Sequence, residues 1–187
     1  MPDYSSGGGG GTSVQDCFPG DALVLTPGGA VRMDNVAVGQ TVLGLNSSGC
    51  VEPAEVVRVV RHRRPHPVLQ VVSSQNELSF FATKRHPVRT LRGWVRVKNL
   101  RPGDELTYVN EGGEVRCHEV LGVEATERSE PVFNLVVDGD NTFLVRGCVA
   151  HSFVYFRRLR TLLSRAKRLL LAGRTIGNSR PQPSSVH

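Results

Sequence analysis

The longest strongly apolar runs in this sequence are only a few residues, far short of the roughly 20 that a membrane-spanning helix needs. The N-terminal residues do not read as a secretory leader either. Met1 to Asp16 holds a run of five glycines and no apolar stretch, so it reads as a flexible lead. Two compartments fit that absence: the cytosol, or the secretory route if the chain is a fragment of a longer precursor. The four cysteines (Cys17, Cys50, Cys117 and Cys148) form no C-x-x-C pair and have no histidine at zinc spacing. They are also too sparse for a disulfide scaffold. No metal or cofactor is expected, and the cysteines call for individual explanation. Acidic residues are absent from one region. From Phe153 onward there are eight Lys or Arg and no Asp or Glu, which leaves 15 basic against 17 acidic residues before it. The net charge of +6 therefore belongs to the tail. A nearly neutral core argues against nucleic acid as a partner and leaves the tail as the place for an anionic one.

Between residues 17 and 152, short runs of Val, Leu, Phe and Thr alternate with Gly, Pro, Asn and Asp. Ala22–Leu25, Val56–Val60, Val68–Val72, Leu78–Ala82, Phe133–Val137 and Thr142–Val145 are examples. This pattern predicts an all-β domain of many short strands. The domain also repeats itself at an offset of 64 residues: Gly29, Val31, Arg32, Asn35 and Gly39 recur as Gly93, Val95, Arg96, Asn99 and Gly103. The same offset lays Glu55–Val59 on Glu119–Val123 and Pro67–Val72 on Pro131–Val136. With one residue added it brings His86 onto His151. A duplicated unit with a pseudo-two-fold axis is the expectation.

Three blocks then resemble the Hint (Hedgehog/intein) family. Cys17-Phe-Pro-Gly-Asp-Ala-Leu-Val, followed by Thr26-Pro-Gly-Gly and Val36-Ala-Val-Gly-Gln-Thr-Val-Leu, is similar to the opening block. Thr83-Lys-Arg-His86-Pro-Val, with Gly93-Trp94, Leu100 and Gly103-Asp104, resembles the T-x-x-H block and its continuation. Val132-Phe-Asn-Leu-Val-Val, Asn141-Thr-Phe-Leu-Val and Val149-Ala-His151-Ser152 resemble the closing blocks. The resemblance implies a Hint/intein-like horseshoe of strands over 17–152. It also implies self-processing, with the chain's own N-terminal segment as substrate.

The residue types suit that chemistry. Turning an amide into a thioester sacrifices amide resonance, so the protein must supply a soft nucleophile and protonate the departing nitrogen. Cys17 can attack the carbonyl of Asp16, and its own amide nitrogen then leaves in an N-to-S acyl shift. His86 is the candidate to donate to that nitrogen, Thr83 can set its hydroxyl beside the same bond, and His151 closes the set. Otherwise, a cysteine at a strand start is a small buried hydrophobe and a histidine before proline is a turn residue.

Departures from the family narrow the outcome. Inteins end on His-Asn, and the Asn cyclises. Here Ser152 follows His151 and has no amide to cyclise, and Asn141 stands where inteins carry histidine. Splicing should fail and N-terminal cleavage alone should remain. In Hedgehog relatives a sterol hydroxyl, activated by an aspartate between the first two blocks, captures the thioester. No carboxylate lies between Glu55 and Glu77 here. His62 or His66 could act as a base, or Arg61–His66 could be a basic surface loop; water, sterol and other nucleophiles all stay open as acceptors. Cys148 could relay the acyl group or pair with Cys17, and the Asp16 carboxylate could speed hydrolysis from within. An inactive structural or membrane-binding module derived from the same fold is the alternative reading.

Phe153 to Leu171 has helical period. Phe156, Leu159, Leu162, Leu163, Ala166, Leu169 and Leu170 share one arc, and Arg157, Arg158, Arg160, Arg165, Lys167 and Arg168 the other. Gly173 gives a stop. An amphipathic α-helix over 153–173 suits an anionic membrane surface or packs on its own core, and residues 174–187 read as a disordered tail.

Overall fold

The computed structural model describes residues 16–110 and 112–152. The helix expected over 153–173 and the tail after it lie outside the described residues. Twelve strands are present among those described: β1 (Phe18–Pro19), β2 (Leu23–Thr26), β3 (Gly29–Arg32), β4 (Thr41–Leu45), β5 (Val51–Ser73), β6 (Phe80–Ala82), β7 (Pro87–Thr90), β8 (Gly93–Arg96), β9 (Glu105–Val109), β10 (Val115–Val137), β11 (Thr142–Val145) and β12 (Cys148–His151). The helical content among these residues is three single turns of 3₁₀ type, at Met33–Asn35, Asn76–Leu78 and Val97–Asn99. The all-β expectation holds.

The strands are less uniformly short than the sequence suggests. Val56–Val60 and Val68–Val72 belong to one 23-residue strand, β5, which pairs antiparallel with the equally long β10. Arg61–His66 is therefore strand, correcting the basic-loop reading. An irregular register shift at Glu130/Val132 lies opposite this stretch, between His66 and His62, which lets Pro65 sit in a strand without a ladder bond.

The duplication is structural. β2, β3, β4 and β5 map onto β7, β8, β9 and β10 at the 64-residue offset, and the turn Met33–Asn35 maps onto Val97–Asn99. Single hydrogen bonds repeat too. Met33 N–H donates to Ala22 O at 2.7 Å and Val97 N–H to His86 O at 2.9 Å. Gly39 N–H donates to Val56 O at 2.8 Å, and Gly103 N–H to Val120 O at 2.9 Å. Gly29 and Gly93 hold φ of 112° and 104°, a left-handed region where a Cβ would be strained, so the same turn residue closes both β2–β3 and β7–β8. This register equates His86 with Ala22, so the expected match of His86 to His151 is corrected; His151 ends the β11–β12 hairpin, paired with Thr142.

One main core holds the halves together, with Phe18, Val24, Met33, Val42, Val56, Val71, Leu135 and Phe143 fully or almost fully enclosed. Each such side chain contributes about 1.5–3 kcal/mol over leaving it in water. Cys17 lies outside this core, in a small cluster with Val68 and Val132.

Candidate active site around the Asp16–Cys17 bond

β1 is two residues long, and its pairing with β10 (Phe18 with Phe133, Pro19 with Val132) seats Cys17 against the middle of the domain. Cys17 is fully buried. Its thiol pKa is pushed up to about 12, first by burial and then by the charge of Asp16, with a backbone hydrogen bond to Asp16 opposing both. The resting sulfur is a neutral thiol.

Both sides of the Asp16–Cys17 peptide bond are held. On the nitrogen side, Cys17 N–H donates to Thr83 Oγ1 at 2.8 Å. The same hydroxyl donates to Cys17 O at 3.1 Å, and Thr83 N–H donates to that oxygen at 2.9 Å. On the carbonyl side, Asn134 Nδ2 donates to Asp16 O at 2.6 Å, while Asn134 Oδ1 accepts Leu135 N–H at 2.8 Å. Asn134 lies inside the apolar run Val132–Val137, and no role for it follows from the motifs. The signal was available, since one polar residue in such a run must find a partner once buried.

His86 follows the turn after Thr83 and is also fully buried. Its ring stands 4.1 Å from the Phe18 ring, centroid to centroid, and neither ring nitrogen has a hydrogen-bond partner in good geometry, the Asp16 backbone being only a loose one. Burial drives its pKa down to about 3; the neighbouring Asp16 backbone opposes this, and His151 adds a smaller downward push. The imidazole is neutral at physiological pH, fully enclosed, and beside the Asp16 backbone. His151 lies close enough to act on it electrostatically, and its own pKa is lowered by burial while a hydrogen bond with the Ser152 backbone opposes that. The Trp94 ring packs edge-on against His151 at 4.8 Å.

The remaining candidates divide. Asp16 is buried, and its carboxyl pKa is raised by that burial, with the charges of Arg96 and Arg85 opposing the shift only in part. His62 sits on β5 opposite Val132, the residue that packs on Cys17. Its Nε2 is enclosed without a hydrogen bond, and burial, then His66, lowers its pKa. Ser152 is fully buried and structural: Oγ donates to Leu135 O at 2.8 Å and accepts Val137 N–H at 3.1 Å, tying the end of β12 to β10. Cys148 packs in the main core, burial lifting its pKa to about 12. It and Cys17 are both free thiols in separate apolar clusters, so the pairing and relay ideas find no contact. Among the described residues no group of three His, Cys, Asp or Glu could hold a metal ion.

No family model matches the sequence. Protein qua-1 of Caenorhabditis elegans is 29% identical over 143 residues, covering 65% of this chain. The chain spans only 12% of that protein's length. Among solved structures, a DnaB intein from Synechocystis sp. PCC 6803 is similar over 74% of this chain and 99% of its own, at 20% identity and a TM-score of 0.67. The DnaX mini intein from Spirulina platensis covers 73% of this chain and all of its own, at 21% identity and a TM-score of 0.63. A bacterial intein-like domain from Clostridium thermocellum covers 73% of this chain and 99% of its own, at 24% identity and a TM-score of 0.61. The described residues thus adopt the intein-type, or Hint, fold.

Proposed function

We propose that this domain severs its own chain between Asp16 and Cys17 through a thioester. The observation that carries the reading is one buried peptide bond gripped at both ends, by the Asn134 amide on its carbonyl and the Thr83 hydroxyl on its N–H. A merely structural turn does not need a side chain on each.

The chemistry follows from the resting protonation states. A thiol near pKa 12 beside an imidazole near pKa 3 disfavours free proton transfer. The gap corresponds to a cost on the order of 12 kcal/mol before the ions' mutual attraction. The proton therefore moves to His86 as the Cys17 sulfur closes on the Asp16 carbonyl carbon, in one step. Charge building on Asp16 O meets the Asn134 N–H, a donor of the kind worth roughly 3–4 kcal/mol to such an intermediate. The imidazolium, strongly acidic in its apolar pocket, gives the proton to the Cys17 nitrogen as the C–N bond breaks. The product is an Asp16–Cys17 thioester with a free α-amine.

The thioester then passes the 1–16 segment to an acceptor, and splicing does not follow, because Ser152 offers no amide and its hydroxyl is engaged on β10. For an external acceptor such as a sterol hydroxyl, His62 is the candidate base. The full chain, purified in denaturant and refolded with and without dithiothreitol, tests the reading. Release of peptide 1–16 should be thiol-accelerated and absent in Cys17→Ala; release that survives this substitution overturns it.

A further inference from the structure

The bond proposed to react is enclosed, which slows the approach of outside acceptors. Cys17 and His86 are fully buried, Asn134 is 1% exposed and Thr83 3%. Yet a second nucleophile is already inside. The Asp16 side chain belongs to the residue whose carbonyl is attacked, and it is only 7% exposed. Asn134 holds that carbonyl by a hydrogen bond; burial raises the carboxyl pKa overall, and the charges of Arg96 and Arg85 pull it back toward the carboxylate.

We propose that the Asp16 carboxylate is the first acceptor of the acyl group, so that hydrolysis proceeds through a cyclic anhydride within Asp16. The proposal rests on the thioester reading above. An Oδ lone pair forms a C–O bond to the backbone carbonyl carbon of the same residue, closing a five-membered ring of C, Cα, Cβ, Cγ and Oδ. The C–S bond breaks, its electron pair goes to Cys17 Sγ, and the thiolate takes a proton from solvent. The segment ending in anhydride is no longer covalently attached and can leave the enclosed site. Water then adds to either carbonyl and opens the ring, giving Asp16 two free carboxyl groups. One water is consumed overall, and no other reagent is needed. Ring closure within one residue replaces an encounter with water, and well-placed intramolecular groups reach effective concentrations of about 10⁵–10⁸ M. That advantage offsets the higher energy of an anhydride over a thioester.

Hydroxylamine distinguishes the routes. It captures a thioester as the α-hydroxamate of Asp16 alone, whereas an anhydride yields α- and β-hydroxamates together. The full chain is refolded from denaturant into hydroxylamine, and peptide 1–16 is compared by chromatography and mass spectrometry with synthetic standards of both isomers. Both isomers are expected from the wild type and neither from Cys17→Ala. In the absence of hydroxylamine, Asp16→Ala should hydrolyse its thioester roughly tenfold or more slowly, per thioester present. Alanine is the replacement because asparagine could cyclise onto the same carbonyl. An α-isomer alone overturns the proposal and leaves the thioester standing. A β-isomer that persists in Cys17→Ala arises from an imide of Asp16 and also overturns it. Absence of any Cys17-dependent release removes both readings. If Asp16→Ala does not fold, the isomer ratio from the wild type decides alone.

Discussion

The turn Pro19-Gly20-Asp21-Ala22 and the turn Thr83-Lys84-Arg85-His86 are closed by matching backbone bonds, Ala22 N–H to Pro19 O at 3.2 Å and His86 N–H to Thr83 O at 3.1 Å. The next link matches as well, Asp34 N–H to Gly20 O at 2.9 Å and Lys98 N–H to Lys84 O at 2.8 Å. Both turns feed a hairpin closed by a positive-φ glycine. Only the second turn carries a hydroxyl and an imidazole. On the long strands the same offset sets Gln70 against Asn134. The first half presents the bond; the second supplies the groups that hold it and that, in the proposed reaction, cleave it. The same backbone pairing and glycines build both halves, so the groups proposed for the chemistry sit where the first half makes the same turn with other side chains.

Exchanging each second-half residue for its first-half counterpart breaks that division most directly. His86→Ala installs the residue that already occupies the equivalent place at Ala22. The domain should keep its fold, judged by circular dichroism, while thioester formation falls by about 10²–10⁴. Loss of the fold would mean that the imidazole is a packing element against Phe18 first. Asn134→Gln installs the Gln70 side chain, which keeps an amide but displaces it by one methylene. The carbonyl contact at 2.6 Å should be lost, and the rate of thiol-induced release should fall about 10²-fold. An unchanged rate would remove Asn134 from the reaction.

A smaller difference between the halves lies in their response to acid. Ala22 cannot titrate, whereas His86 is held neutral by burial, its pKa near 3 against an ordinary 6.5. A folded-state pKa depressed in this way means that the unfolded chain binds the extra proton. Stability is therefore lost as pH falls from 6.5 toward 3. On a Cys17→Ala background, which removes the proposed nucleophile, the domain with His86 should lose about 2 kcal/mol more between pH 7 and pH 5 than the His86→Ala form. Urea unfolding at the two pH values measures this; parallel losses would show that His86 gains a proton without penalty in the fold.

Much of this was legible in the residues, and what was not is non-local. The repeat could be read because glycines with positive φ and alternating apolar residues are local requirements, and Cys17, Thr83 and His86 stand in blocks with fixed spacing. The continuity of β5 was hidden, because Arg61–His66 alternates no apolar residues and includes Pro65, yet pairing with β10 carries the strand through. Asn134 became a site residue only when Phe18 took its register with Phe133, placing the amide on Asp16 O. Ser152 reads as a missing asparagine in the chain but is a clamp on β10 in space. Cys148 shares the chemistry of Cys17 and not its surroundings, and only the packing separates them.

Thr83→Val probes the finest difference between the halves, since Pro19, at the same place in the first half, lacks a hydroxyl altogether. Valine matches threonine in shape, so packing should survive. Cys17 O keeps the Thr83-position N–H, but Cys17 N–H loses the acceptor it meets at 2.8 Å. An orphaned buried donor costs about 1–3 kcal/mol of stability. The catalytic effect is distinct from that cost. An N–H held toward Thr83 sets the direction in which the nitrogen pyramidalises, and with it the face open to a proton from His86. Without that guide the rate of thioester formation should fall roughly tenfold, the equivalent of one ordinary hydrogen bond, and Thr83→Ser should restore most of it. Equal destabilisation of Thr83→Val and Thr83→Ser with no recovery of rate would assign the hydroxyl to folding alone. The hydroxyl would then no longer distinguish the reactive turn from its inert twin.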